Sequence, residues 1–125
     1  MPVVVLQSAK DDLRDGYLFY ERQGGSYLGN YFLAILQSDL TSLALYAGIH
    51  NKRFGFYRAL SRRFPYSIYY DIEDDEVRVY GVLDNRRDPK WIYGHLQAVT
   101  PPKTDAGKLS VGEAALLPLP PKGCG

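Results

Sequence analysis

Arg58, Arg62, Arg63, Arg78, Arg86 and Arg87 are spread among tyrosines in the second half of the sequence, with Tyr69, Tyr80, Lys90, Trp91 and His95 in the same region. These residue types suit contact with phosphates and bases. A guanidinium fork binds phosphate bidentately, and an aromatic ring offers a stacking face. Arg86 and Arg87 stand side by side in "VLDNRRDP", where an apolar run ends and a proline follows. The same residues also read as sheet-edge charges and core tyrosines. Asp71, Glu73, Asp74, Asp75, Glu76, Asp84 and Asp88 lie among them and can neutralise them by surface pairing.

The two histidines, His50 and His95, could each act as an acid or base near neutral pH. No nucleophile or second base stands at a recognisable spacing from either. A solvated position at a helix end explains His50 equally well. The carboxylates of residues 71–76 form an acidic turn whose alternation departs from the D-x-D-x-D-G calcium loop. The glycines of "QGGSYLG" fit neither G-x-G-x-x-G nor G-x-x-x-x-G-K-[ST], so they mark a helix break and not a nucleotide loop. No cofactor or metal is expected.

With 15 basic and 14 acidic side chains the chain carries a formal charge of +1, which excludes any global electrostatic argument for nucleic acid or membrane surfaces. The single cysteine, Cys124, cannot close an internal disulfide and belongs to no zinc-binding spacing. The start of the chain lacks the pattern of a secretory signal. No stretch approaches the roughly 18–20 apolar residues that span a bilayer, so a cytoplasmic protein is expected.

The elements that must position these side chains follow from periodicity. Val3 to Leu6 is a β-branched run suited to a strand, and Ser8 with Asp11 three residues on reads as a helix N-cap. Leu13, Tyr17 and Tyr20 recur at helical spacing until Gly24 and Gly25. From Ser26 a second helix carries Leu28, Phe32, Ile35, Leu36, Leu40 and Leu43 on one broad stripe and stops at Gly48. The two-glycine connection implies an antiparallel helical hairpin. The period then changes to that of strands: Phe54 to Leu60; "YSIYYDI", with Tyr66, Ile68, Tyr70 and Ile72 on one face; the acidic turn 73–76; and "VRVYGVL". In the last strand Val77, Val79, Gly81 and Leu83 alternate with Arg78, Tyr80 and Val82.

The expected fold is therefore α+β: an N-terminal strand, a helical hairpin, then a three-stranded antiparallel meander, with both helices on one sheet face and the other face partly open. Trp91 and Pro89 read as structural, a ring covering the core edge. The foldable part is residues 1–98. Residues 99–125 hold five of the eight prolines and no aromatic residue, which predicts a flexible tail.

The order of these phrases resembles a known family. Ala9, Asp12 and Leu13 open the first helix, Arg58 sits in the first meander strand, and "YSIYYDI" and "VRVYGVL" follow. The Arg86–Arg87 pair with Asp88 and Pro89 closes the series. Over roughly residues 3–96 this is similar to the RelE/ParE superfamily of toxins from bacterial type II toxin–antitoxin modules. The resemblance implies a toxin that arrests growth, held inactive by a cognate antitoxin whose extended or helical segment covers an exposed sheet edge and an aromatic, basic concave face.

Superfamily members divide between inhibitors of DNA gyrase and ribosome-dependent mRNA endonucleases. A metal-independent endoribonuclease would draw its catalytic set from Arg58, Arg86, Arg87 and His95. A binder would meet its target through Arg62, Arg63, Tyr69, Arg78 and Tyr80. The second meander strand offers Pro65, Tyr66 and Ser67 where the nucleases usually carry a basic residue. That departure and the near-neutral charge point to the gyrase class. An inactive module that only binds an antitoxin is the third reading.

Overall fold

The computed structural model describes residues 1–100. Strand β1 (Val3–Val5) leads into helix α1 (Gln7–Tyr46), and strands β2 (Lys52–Arg53), β3 (Phe56–Leu60), β4 (Tyr66–Glu73) and β5 (Glu76–Asp84) precede a final helix α2 (Pro89–Val99). The α+β architecture matches the expectation, with three differences of physical interest.

The first concerns α1, which runs without a loop yet folds back on itself. Gly24 (φ −146°) and Gly25 (φ +81°, ψ 180°) leave helical geometry, and only glycine accepts the Gly25 conformation without strain. The segments before and after them pack as antiparallel arms: Tyr20 stacks on Phe32 at 5.1 Å, and a Cβ on Gly29 would lie 2.7 Å from the Tyr17 ring. The hairpin is present, but its N-cap is not Ser8. The helix starts two residues earlier, with Leu6 at the N-cap, and the Ser8 hydroxyl donates to the Tyr80 carbonyl at 2.7 Å, pinning the helix start to β5.

The second difference is the sheet. It has five strands in the order β1-β5-β4-β3-β2, with β1 parallel to β5 and the remaining pairs antiparallel. The loop "IHNKR" contains β2, which meets β3 across Phe54 and Gly55, both at positive φ. The acidic turn falls where expected, on Asp74 and Asp75, both left-handed as a two-residue hairpin turn of this twist requires. Tyr69 faces Gly81 and Tyr70 faces Val79, so Tyr80 is the extra residue of a bulge. The bulge exchanges the faces downstream. Val82 joins Val77 and Val79 against the hairpin, and Leu83 joins Tyr80 on the opposite side, which reverses the alternation expected for those two residues.

The third difference is α2, where no helix was expected. Asp88 accepts from the Lys90 backbone N–H at 3.0 Å, and Pro89 takes the first helical position, where its missing N–H loses nothing. Ile92 and Leu96, one turn apart, bury against Phe56, Tyr69, Tyr80 and Leu83. The sheet face expected to be open is thus covered, and the molecule has two cores. The larger one packs Ala9, Phe32, Leu36, Leu40 and Leu43 of the hairpin on Ile68, Tyr70, Val77, Val79 and Val82. The proline-rich segment, from residue 101 on, lies outside the described residues.

Candidate functional site

The segment from Asp84 to Asp88 is braced at nearly every residue. Asp84 Oδ1 accepts from the Arg86 backbone N–H (2.8 Å) and from Arg86 Nε (2.9 Å), while its Oδ2 takes the other arm of the guanidinium at 2.7 Å. The Asn85 N–H donates to the Pro65 carbonyl (2.7 Å) and the Arg87 N–H to the Asp84 carbonyl (3.2 Å). Burial opposes ionisation of Asp84, but Arg86, through its side chain and backbone, and Arg87 outweigh it and hold the carboxyl below its ordinary value. Adjacent in sequence, the two arginines therefore diverge. Arg86 is held by Asp84, and Arg87 crosses the Trp91 ring with its guanidinium carbon 3.7 Å from the ring centroid.

Below Arg87 the column continues. Trp91 stacks on His95, centroids 4.8 Å apart and 14° from parallel, as helical neighbours four residues apart can. His95 Nε2 lies 3.2 Å from Oδ1 of Asp12, and Oδ2 of Asp12 accepts from the Val82 backbone N–H at 3.0 Å. Asp12 is buried, and that burial pushes its pKa up to about 6, against the opposing pull of the Val82 N–H and of His95. A buried carboxylate on α1, a backbone amide of β5 and an imidazole of α2 thus meet at one point. Above them opens a cleft of about 450 Å³, walled by Leu18, Phe19 and Arg22 of the first arm, Tyr66 of β4, and Arg87 and Trp91. Burial raises the Tyr66 phenol to about 12, so it faces the cleft as a neutral donor.

The structure separates the residues that the sequence grouped. Arg87 and His95 line the cleft. Arg58 lies on β3 opposite Tyr69, half-exposed and not among the cleft residues. Arg62 anchors the hairpin: its Nε meets the buried Asp39 at 2.9 Å, and the Ser61 hydroxyl donates to the same carboxylate at 2.7 Å. Arg63 is exposed. Arg78 is gripped by Glu73 and by Glu76. Tyr69 and Tyr80 are buried beneath α2, 1% and 4% exposed, which leaves them core side chains without a contact surface. Ser67 is fully buried with its hydroxyl on Asn85 Oδ1. Trp91, expected to be a buried cover, is 38% exposed, because Ile92 and Leu96 present the apolar side of α2 and turn Trp91 toward the cleft.

Asp12, Phe19 and Arg22 are among the cleft residues that sequence reasoning did not assign to a site. They lie at helical spacing on one face of the first arm. Asp12 had a further local signal, an acidic residue beside Ala9 and Leu13 on the buried side of an amphipathic helix. Among the described residues no cluster of His, Cys, Asp and Glu could hold a metal ion, and no helix is long and apolar enough to cross a membrane.

The comparisons with known proteins agree with this architecture. A chain from a solved structure, "Chromosomal ParDE TA system from P. aeruginosa", shares the fold with a TM-score of 0.61 at 17% identity, covering 66% of this chain and 92% of that one. No curated protein matches. The family described as the ParE toxin of the type II toxin–antitoxin system parDE matches residues 3–89, from β1 to the first residue of α2. The chain belongs to the ParE toxin family, and so is the toxin component of a type II module whose partner is a cognate antitoxin.

Proposed function

We propose that this toxin arrests growth by binding DNA gyrase, as a protein–protein inhibitor that performs no covalent chemistry of its own. The position of Ser67 carries this reading. Nucleases of the superfamily it resembles usually carry a basic residue on the second meander strand, where a cation would stabilise charge developing on the phosphate. There the chain has a buried hydroxyl engaged with Asn85, and Arg58 does not line the cleft that holds Arg87 and His95. Membership of the ParE family supports the same choice.

A second reading, the ribosome-dependent mRNA endonuclease, draws on one observation: the Asp12–His95 pair beside Arg87 could serve as an acid/base couple. Two assays on the purified full-length protein separate the readings. Inhibition of DNA supercoiling by gyrase, with mRNA intact in a programmed ribosome, is the expected result. Cleavage of mRNA with unaffected supercoiling would reverse it.

A further inference from the structure

Arg22 and Arg87 both line the cleft, and neither forms an ion pair among the described residues. Arg87 contributes to the field at Asp84, but both oxygens of that carboxylate already bond to Arg86. The same cleft is lined by accessible apolar side chains, Leu18, Phe19 and Trp91, exposed by 36%, 37% and 38%. Exposed aromatic and arginine side chains together at the mouth of a concave site are the composition of a protein-binding anchor.

A nucleic acid fits this cleft poorly. Asp84 is paired with Arg86 and Asp12 with His95, but Asp15 also lines the cleft, so one or two carboxylates placed at the free guanidinium groups are accommodated where a continuous run of phosphates is not. Arg87 and His95 both stack on the Trp91 ring, so a base would have to compete with them for it. A partner chain that brings one or two carboxylates to the guanidinium groups and one apolar side chain to the wall satisfies every group. A separate groove along β3 is lined by Tyr46, Leu60 and His50, beside the exposed Leu45 and Ile49, and this is the apolar strip next to a sheet edge that an amphipathic segment would cover.

We infer that the cleft between the first hairpin arm and α2 grips an acidic, apolar-flanked segment of the toxin's protein target, with Arg22 and Arg87 as its two carboxylate receptors and Phe19 and Trp91 as the apolar wall. The inference rests on the reading of the toxin as a binder of a protein target.

The test uses the full-length toxin and exploits Trp91, the one tryptophan of the chain, whose emission reports occupancy of the cleft. A short peptide alternating Glu and Leu should shift that emission saturably, and its Gln/Leu counterpart should not. In Arg22→Glu/Arg87→Glu the peptide affinity should fall by about tenfold or more, the cost of one to two charge-assisted contacts. On induced expression that variant should no longer arrest growth, whereas Lys10→Glu/Arg14→Glu, an equal charge change on the same arm outside the cleft, should still arrest it. Arg22→Gln/Arg87→Gln, which adds no negative charge, should lose most of the arrest while melting like the wild type.

Full arrest by the folded Glu variant would overturn the inference, as would equal binding of the Glu/Leu and Gln/Leu peptides. So would a variant that arrests growth but escapes neutralisation by its antitoxin, which would give the cleft to the antitoxin instead. A wild-type protein without effect on supercoiling would sink the gyrase reading alone, because the arrest and peptide results do not depend on which protein is the target.

Discussion

Replacing Asp12 with Asn removes a charge that the fold holds at a cost. Burial carries the carboxyl from 3.8 to about 6, and each unit corresponds to about 1.4 kcal/mol between the two protonation states. The ionised form is therefore about 3 kcal/mol less favourable in the folded than in the unfolded chain. Between about pH 4 and 6 the native state keeps a proton that the unfolded chain has released. Stability from this group is thus present below that window, falls as pH rises through it, and stays low above it. Asn keeps an oxygen for the Val82 N–H, turns an amide toward His95 Nε2, and does not titrate. Asp84 works in the opposite sense, since its lowered pKa gives stability that is lost only as pH falls, but it is common to both proteins and cancels in their difference.

Urea unfolding of wild type and Asp12→Asn across this range should show the two nearly equal at about pH 4, with the variant gaining by up to about 3 kcal/mol near neutrality. Asp12→Ala should fall below Asp12→Asn at every pH by about 1–3 kcal/mol, because it leaves the Val82 N–H buried without an acceptor. A variant Asp12→Asn that is less stable than wild type by a pH-independent margin would refute the reasoning. Asp12 would then be a net-favourable partner of His95 and not a carboxylate burdened by desolvation.

Gly16→Ala places a methyl group 2.5 Å from Cζ of the fully buried Phe32, whose ring is wedged against Tyr20, Phe64 and Tyr66. Overpacking there should cost roughly 1–3 kcal/mol and lower the melting temperature by about 4–8 °C per kcal/mol, read by calorimetry. Trp91→Ala, at a half-exposed site, should cost only about 1–2 kcal/mol in urea unfolding, the value of its stacking contacts. A loss of roughly 3–5 kcal/mol would instead identify a buried core ring.

The hairpin was legible because its signals are local: the stripes of Leu13 to Tyr20 and of Leu28 to Leu43 repeat at helical spacing, and Gly24–Gly25 separates them where the chain must reverse. The Asp74–Asp75 turn was legible for the same reason. Helix α2 has its own local signature, Asp88 before Pro89 and Ile92 one turn from Leu96, but a lone tryptophan just after a proline reads equally well as a core cover, and that reading hides the helix. The exchange of Val82 and Leu83 has no such signal. A bulge depends on how β5 meets β4, and nothing near Tyr80 in sequence announces it beyond Gly81. The site was half legible. Arg87 and His95 stand out by residue type, but Asp12 lies 83 residues before His95 in the chain, and only the fold brings the two together.

Strand β1 pairs with β5 as Val3 with Val77, Val4 with Arg78 and Val5 with Val79, so the first residues of the chain wait for partners made late. Ser8 likewise waits for Tyr80, and Asp12 for Val82 and His95. Contacts of such sequence separation slow folding, because the intervening loop must close before they form. During synthesis the hairpin can emerge and coil early, but the sheet is not complete until β5, and the cleft not until α2, has left the ribosome. A chain cut short before β5 has no Val82 amide for Asp12 and no column to hold Arg87 outward. The cleft is thus a property of the completed fold and of no part of it.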